Sequence, residues 1–305
     1  MNAPRESFYL WVLALTSTTV FGETQCPGNI VPVRYHSAGR SYMSISVTFN
    51  HSGSYDFLVD TGSEVTIMEP SLAAELHLEP KGTADLVTGL RHTETGVVSP
   101  EVIEVGSHAF YGRLLSVASV AQFQARGIRG ILGEDLLMDF DLLIDREKKI
   151  LCFDPAKDMR GTQRGERVSI VRQGAEDGRL AQAILVPVQL SGPKARTMYL
   201  RLDSGASDPI LYVNPSAKEP WGASARMLRA YDIGGSTISF KTMAPQEVQI
   251  GNKVLSGVTF AAPVASKKNA RFAGEDGLLP TSLFKRVFIS YKDEFVMLDP
   301  GSAEP

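Results

Sequence analysis

Phe57-Leu58-Val59-Asp60-Thr61-Gly62-Ser63 and Leu200-Arg201-Leu202-Asp203-Ser204-Gly205-Ala206 are the two stretches on which the reading of this chain turns. In each, an apolar strand-like run delivers an aspartate into a hydroxyl-Gly turn. The two aspartates stand 143 positions apart in a chain of 305 residues. That spacing predicts a duplicated lobe, with each copy contributing one carboxylate to a shared site. Two carboxylates that face each other cannot both ionise cheaply, so they share a proton and can act together as acid and base. A pair of this kind suits water-mediated amide hydrolysis.

Working outward, the flanking sequence repeats in the same order. Ser44-Ile45-Ser46-Val47-Thr48-Phe49 alternates with period two, Asn50-His51-Ser52-Gly53 supplies a turn, and Tyr55 to Val59 forms the next strand, a hairpin that ends at Asp60. In the second half, Ile184 to Leu190, the turn Ser191-Gly192-Pro193-Lys194 and Thr197 to Leu202 do the same before Asp203. Pro187 predicts an edge position for its strand, because proline cannot donate to a ladder. Glu101 to Ser107 is echoed by Glu247 to Asn252, each a strand running into a Gly turn and followed by another strand, Leu114 to Val120 and Val258 to Val264. Gly130-Ile131-Leu132-Gly133-Glu134-Asp135-Leu136-Leu137 is echoed by Gly277-Leu278-Leu279-Pro280-Thr281-Ser282-Leu283-Phe284, and a charged hairpin follows each. A repeat of half the chain is too long for a solenoid. Pro155 to Gly178, rich in Arg, Gly, Asp and Gln, reads as the connection between the halves, with a solvated basic surface and one strand near Val168.

Two Asp-Thr/Ser-Gly turns, each followed about 70 residues later by a Gly-apolar-apolar element, resemble the aspartic protease superfamily. The first half is similar to a retropepsin-type unit and the second to a diverged copy, so that the two lobes in one chain resemble the pepsin-like arrangement. The resemblance covers about residues 30 to 300 and implies an all-β fold of two pseudo-symmetric β-barrel lobes with a cleft between them. It implies that Asp60 and Asp203 bracket one water. It also implies that Thr61 and Ser204 lock the two loops across the lobe interface, and that Gly62 and Gly205 permit the tight turn and the approach of backbone N–H groups. Ser63 is expected to hydrogen-bond Asp60 directly. Ala206 cannot do so for Asp203, which would make the carboxylates inequivalent. In the family a β-hairpin flap closes over the cleft. The candidate here spans Leu86 to Val98, with Gly89 and Gly96 flanking Leu90, Arg91 and His92, and Tyr231 to Ser236, containing Ile233 and Gly234, is its counterpart in the second lobe. Three features depart from the family pattern: Ala206, Pro280 in place of a glycine, and the absence of a recognisable flap tyrosine. The implied activity is that of an aspartic endopeptidase acting on polypeptide as a monomer, without metal or organic cofactor. A peptide-binding protein that kept the fold and lost catalysis is the alternative, and a homodimer of first lobes with an accessory second half is a further one.

Bulk composition agrees with a globular two-domain chain: 43% hydrophobic and 21% charged residues. A net charge of −3 gives no electrostatic case for nucleic acid or an anionic membrane surface. The five histidines, at 36, 51, 77, 92 and 108, lack metal-ligand spacing and read as surface residues. Arg5 followed by an apolar run from Phe8 to Leu15, weakening towards Phe21-Gly22, reads as a cleavable export signal over residues 1–22. An uncleaved anchor is the other reading, although the run is short for a membrane span. The expected product is periplasmic or secreted, with an N-terminal lobe over 23–155, a C-terminal lobe over 156–305, and no membrane span once the signal is removed. Cys26 and Cys152, the two cysteines, are a disulfide in an exported protein or two separate thiols, and the sequence leaves both open.

Overall fold

The computed structural model describes residues 26–27, 30–38, 41–87, 92–173, 183–190, 196–212, 225–231, 237–263, 274–299 and 301–302. The export-signal segment lies outside the described residues. Among those described, no helix is long and apolar enough to cross a membrane.

The alternating run Tyr42–Phe49 forms a strand that buries Met43, Ile45, Val47 and Phe49 completely. It pairs antiparallel with Ser52–Val59, and Ile128–Leu132 then lies parallel on the other side of that second strand. In the second half Ala183–Leu190 pairs antiparallel with Thr197–Asp203, which in turn lies parallel to Gly277–Pro280. Each half builds a curled ten-stranded sheet, and the strand orders match position for position. The protein is therefore all-β with two pseudo-symmetric lobes, and the duplication seen in the sequence is a duplication of topology.

A six-stranded sheet joins the halves. Its two central strands, Asp141–Asp145 and Arg286–Ser290, are equivalent segments of the two copies, paired antiparallel with Leu143 opposite Phe288. An antiparallel pair of like segments has a local two-fold axis, so this contact relates the lobes by rotation and turns the ends of their aspartate strands towards one another. Alternate residues serve its two faces. Leu142, Ile144, Leu151 and Phe153 join the main core, whereas Leu143, Ile150 and Cys152 pack with Cys26, Met159 and Phe288 on the opposite face. Cys26 is disulfide-bonded to Cys152, with their Cα atoms 5.7 Å apart.

Several local expectations are corrected. Pro187 is not on an edge strand. Its strand has neighbours on both sides, but one of those sides changes partner, from Val171–Gln173, ending opposite Leu185, to Gln246–Ile250, beginning opposite Gln189. Pro187 falls in the gap, where no partner requires its missing N–H. The strand expected directly after Val105 is preceded by a further hairpin arm, His108–Tyr111, and Lys253–Val258 repeats the insertion in the second copy. These arms form the outer edge of each sheet, where the alternation of buried side chains is weak. His108 is half-buried rather than superficial. Its ring lies 4.8 Å from that of Phe140 and 6.1 Å from that of Phe153, and burial lowers its pKa. The first candidate flap is longer than expected, with Pro80–Val87 paired to His92–Val98. Gly96 lies inside the second arm, opposite Thr83, instead of flanking the tip. The second-lobe hairpin pairs Met227–Tyr231 with Thr237–Thr242. Gly89, Leu90, Arg91, Ile233 and Gly234 lie outside the described residues, and His92 is placed only by its backbone register opposite Val87.

The disulfide closes a loop of 126 residues. Replacing both cysteines by serine is expected to lower the unfolding free energy by about 2–5 kcal/mol. Urea denaturation of the oxidised protein and the double variant checks this, and coincident midpoints would refute it.

Candidate active site

Asp60 follows the strand Ser52–Val59, and its N–H donates to the Leu132 carbonyl at 3.0 Å. Asp203 ends the strand Thr197–Asp203, in register with Pro280. Both aspartates thus leave the ends of parallel strand pairs, in loops that meet at the lobe interface.

The loops are joined by reciprocal hydrogen bonds. The Thr61 N–H donates to Ser204 Oγ at 3.0 Å and the Ser204 N–H donates to Thr61 Oγ1 at 3.0 Å. Each hydroxyl then donates onward across the interface, Thr61 Oγ1 to the Leu202 carbonyl at 2.8 Å and Ser204 Oγ to the Val59 carbonyl at 2.7 Å. Both side chains are fully buried. Removing either hydroxyl would strand two buried backbone groups without partners.

Within each loop the glycine N–H reaches back to the aspartate two residues earlier, Gly62 to Asp60 Oδ1 at 2.8 Å and Gly205 to Asp203 Oδ1 at 2.7 Å. Neither glycine has a positive φ, so the turn itself does not demand glycine. The requirement comes from across the interface. A Cβ on Gly62 would lie 2.5 Å from Asp203 Cγ, and one on Gly205 would lie 2.5 Å from Asp60 Cγ. Each glycine leaves room for the other lobe's carboxylate. Gly130 and Gly277 have a similar role below, where a Cβ would collide with the Ile67 carbonyl at 2.4 Å and the Ile210 carbonyl at 2.0 Å.

The Asp60 and Asp203 carboxyl groups face each other across the interface, each beside the other loop's glycine, and each acts on the other's protonation. Burial raises the pKa of Asp60, opposed by the Gly62 N–H, the neighbouring Asp203 carboxyl and the charge of Arg201. Burial and then the Asp60 charge push Asp203 well above the carboxylate range, with the Gly205 N–H and Arg201 opposing. Burial and mutual repulsion make the pair hold a proton to higher pH than an ordinary carboxylate would, and that proton belongs to the pair.

Ser63 does not serve Asp60 as expected, because its hydroxyl donates to the Val65 carbonyl at 2.8 Å and shapes the loop instead. Ala206 is buried. The inequivalence of the carboxylates therefore has another origin. Arg201, two residues before Asp203 and 5% exposed, makes a forked contact with Glu275, with Nε 3.2 and 3.1 Å from its two oxygens and Nη2 at 2.8 Å. Its Nη1 donates to the Gly62 carbonyl at 3.0 Å, and the Tyr212 hydroxyl donates to Glu275 at 2.8 Å. Sequence reading passed over Arg201 as part of an apolar run, although a charge between Leu200 and Leu202 was the available signal. Thr66 was also missed. It is bonded through N and Oγ1 to Asp135, and it accepts from the Gly133 N–H at 3.1 Å, bracing the first loop from below.

Glu134 lies beneath the first loop at 1% exposure, with no hydrogen-bond partner for either carboxyl oxygen among the described residues. Burial pushes its pKa well above the ordinary 4.5, while Arg201 opposes the rise. Among the described residues, no three His, Cys, Asp or Glu side chains are grouped to hold a metal ion.

Residues 45–139 match the family model described as "gag-polyprotein putative aspartyl protease", a segment that includes Asp60 and ends just beyond Glu134. Among solved structures, the chain is similar to a retropepsin-like aspartic protease from Rickettsia conorii, at 20% identity over 40% of this chain and 88% of that one, with a TM-score of 0.31. No curated protein matches the chain.

Thr61→Val and Ser204→Ala are each expected to cost about 1–3 kcal/mol of stability, read by urea denaturation, because each strands buried partners. Glu134→Gln is expected to behave in a pH-dependent way. The folded-state pKa of Glu134 is raised, so its favourable contribution is complete below the unfolded value and is lost as pH rises through the folded one. Glutamine mimics the protonated acid at every pH. The variant should therefore match wild type near about pH 4 and exceed it near about pH 8, and an equal difference at both would refute the assignment.

Proposed function

We propose that this chain, a member of the aspartic protease superfamily, is an endopeptidase that hydrolyses peptide bonds with a water held between Asp60 and Asp203. The observation that carries this reading is the pair of carboxyls that the two loops bring face to face at the lobe interface, each in the space left by the other loop's glycine. Asp60, partly exposed and ionised, takes a proton from the water as its oxygen attacks the scissile carbonyl. Asp203, buried and protonated, gives its proton to the carbonyl oxygen. In the collapse of the resulting diol, the proton on Asp60 passes to the leaving nitrogen and one diol hydroxyl returns its proton to Asp203. The pair ends as it began, and the hydrogen bonds from Gly62 and Gly205 hold both carboxyls in place throughout.

Because each lobe supplies one carboxyl, a single chain suffices, and a polypeptide would lie extended in the cleft between the lobes. The paired hairpins Pro80–Val87/His92–Val98 and Met227–Tyr231/Thr237–Thr242 are the candidate covers. Export to an oxidising compartment is supported by the Cys26–Cys152 disulfide together with the apolar N-terminal run.

Asp60→Asn and Asp203→Asn are each expected to abolish cleavage of a peptide library while leaving the thermal transition close to wild type. Wild-type turnover by either variant would overturn the assignment. If the unaltered protein binds a transition-state-mimicking peptide such as pepstatin tightly and cleaves nothing, the peptide-binding alternative holds. The rate should follow a bell on the acidic side of neutrality. It falls at low pH as the pair gains a second proton, and falls again as pH rises and the pair loses its last. Activity confined to alkaline pH would contradict a one-proton pair.

A further inference from the structure

We infer that Arg201 is a positioning residue for the carboxyl pair: its guanidinium spans the lobe interface to the Gly62 carbonyl and the Glu64 carboxylate, fixing the Asp60 loop against Asp203 and stabilising the pair's single negative charge. The inference deepens the endopeptidase reading and rests on it for its kinetic part.

The two lobes are pseudo-symmetric. Arg201 pairs with Leu278 in the second lobe as Leu58 pairs with Ile131 in the first, so Arg201 and Leu58 are equivalent positions. Counting back from the equivalent glycines 277 and 130, Glu275 corresponds to Ile128. In the first lobe, Leu58 and Ile128 are packed in an apolar cluster with Ile67 and Ile131, and all four are at most 1% exposed. In the second lobe, the same two places hold a buried arginine and glutamate. The fold therefore has an apolar solution for this site and uses it once. A buried ion pair contributes little net stability over well-packed apolar residues, so packing alone gives no reason for the charges.

The geometry supplies one. Nη1 of Arg201 lies 3.0 Å from the Gly62 carbonyl and Nη2 lies 3.4 Å from Glu64 Oε1, both in the opposite lobe. The fork onto Glu275, itself held by Tyr212, fixes the guanidinium plane. Burial alone would disfavour the Arg201 charge, but Glu275, with Tyr212 and Glu134 behind it, offsets the burial and keeps the side chain cationic. The ionisable groups facing the pair are then Arg201, with Glu64 and Glu134 from the first lobe and Glu275 and Tyr212 from the second. Arg201 favours the ionised form of both aspartates.

The test copies the first lobe's solution into the second, as Arg201→Leu combined with Glu275→Ile in the full chain. Carboxyl titration of the two aspartates is followed by NMR of aspartate-labelled protein, with kcat and KM against pH measured on a cleaved peptide. The folded double variant is expected to ionise the pair at higher pH than wild type, with the acid limb of kcat moved the same way, kcat down about tenfold or more, and KM little changed. Arg201→Lys, which keeps the charge and loses the fork, should restore the titration and only part of the rate. Glu275→Gln, which removes the competing anion, should move the titration to lower pH, and it decides the question if the double variant does not fold. A titration unmoved in the folded double variant, or unmoved in Glu275→Gln, overturns the inference. Absence of turnover in the unaltered protein would overturn the endopeptidase reading alone, since the titration needs no substrate.

Discussion

Thr61 and Ser204 each give and receive across the lobe interface, and that exchange constrains everything above it. Four backbone groups, the N–H groups of residues 61 and 204 and the carbonyls of 59 and 202, are hydrogen-bonded by the hydroxyls of the opposite loop. Buried without them, each would carry a desolvation cost with no compensating bond. The loops can therefore neither separate nor slide without exposing unsatisfied groups, and the aspartates beside them are held facing each other. The six-stranded sheet supplies the coarse alignment by pairing Asp141–Asp145 with Arg286–Ser290 about a local two-fold axis. The hydroxyl exchange then refines that alignment to the ångström scale at which each carboxyl fits beside the other loop's glycine.

Such proximity has a steric condition as well as an electrostatic one. With no Cβ on residue 62, the carboxyl of 203 can occupy that space, and the reverse holds for 205 and 60. The glycine of each Asp-hydroxyl-Gly turn thus belongs functionally to the other lobe. This explains why the motif works as a pair. A single copy would place a donor N–H on its own aspartate, but the vacancy it creates is filled only by a second copy.

What was legible in the sequence follows from which interactions are local. The aspartate loops, the hairpins before them and the Gly130 and Gly277 elements were readable because turn chemistry and period-two burial act within a few residues, and duplication showed each signal twice. The outer arms His108–Tyr111 and Lys253–Val258 escaped because edge strands are alternately wet and carry little pattern. Arg201 and Glu275 escaped for a different reason. They are 74 positions apart, and only the parallel register of Thr197–Asp203 with Gly277–Pro280 brings them together. The Ser63 hydroxyl was read towards Asp60 because the two are neighbours, yet its acceptor is the Val65 carbonyl, beside the loop that Thr66 and Asp135 brace.

A symmetric pair of carboxyls needs some asymmetry if one member is to hold the proton and the other the charge. Two identical lobes would have to obtain it from the bound substrate. This chain has it in its covalent structure, because the copies have diverged at buried positions close to the pair. Leu58 corresponds to Arg201, Ile128 to Glu275, and Glu134, beneath Asp60, to Thr281, whose hydroxyl accepts from Arg146 at 2.8 Å. The uncompensated acid therefore sits under Asp60, while the forked cation sits on the strand that carries Asp203. None of these side chains is needed to complete the duplicated fold, since the opposite lobe folds with its own alternative at each place. Their common property is that they act on the charge distribution around two atoms' worth of space, which is where divergence between the copies has physical consequences for proton transfer.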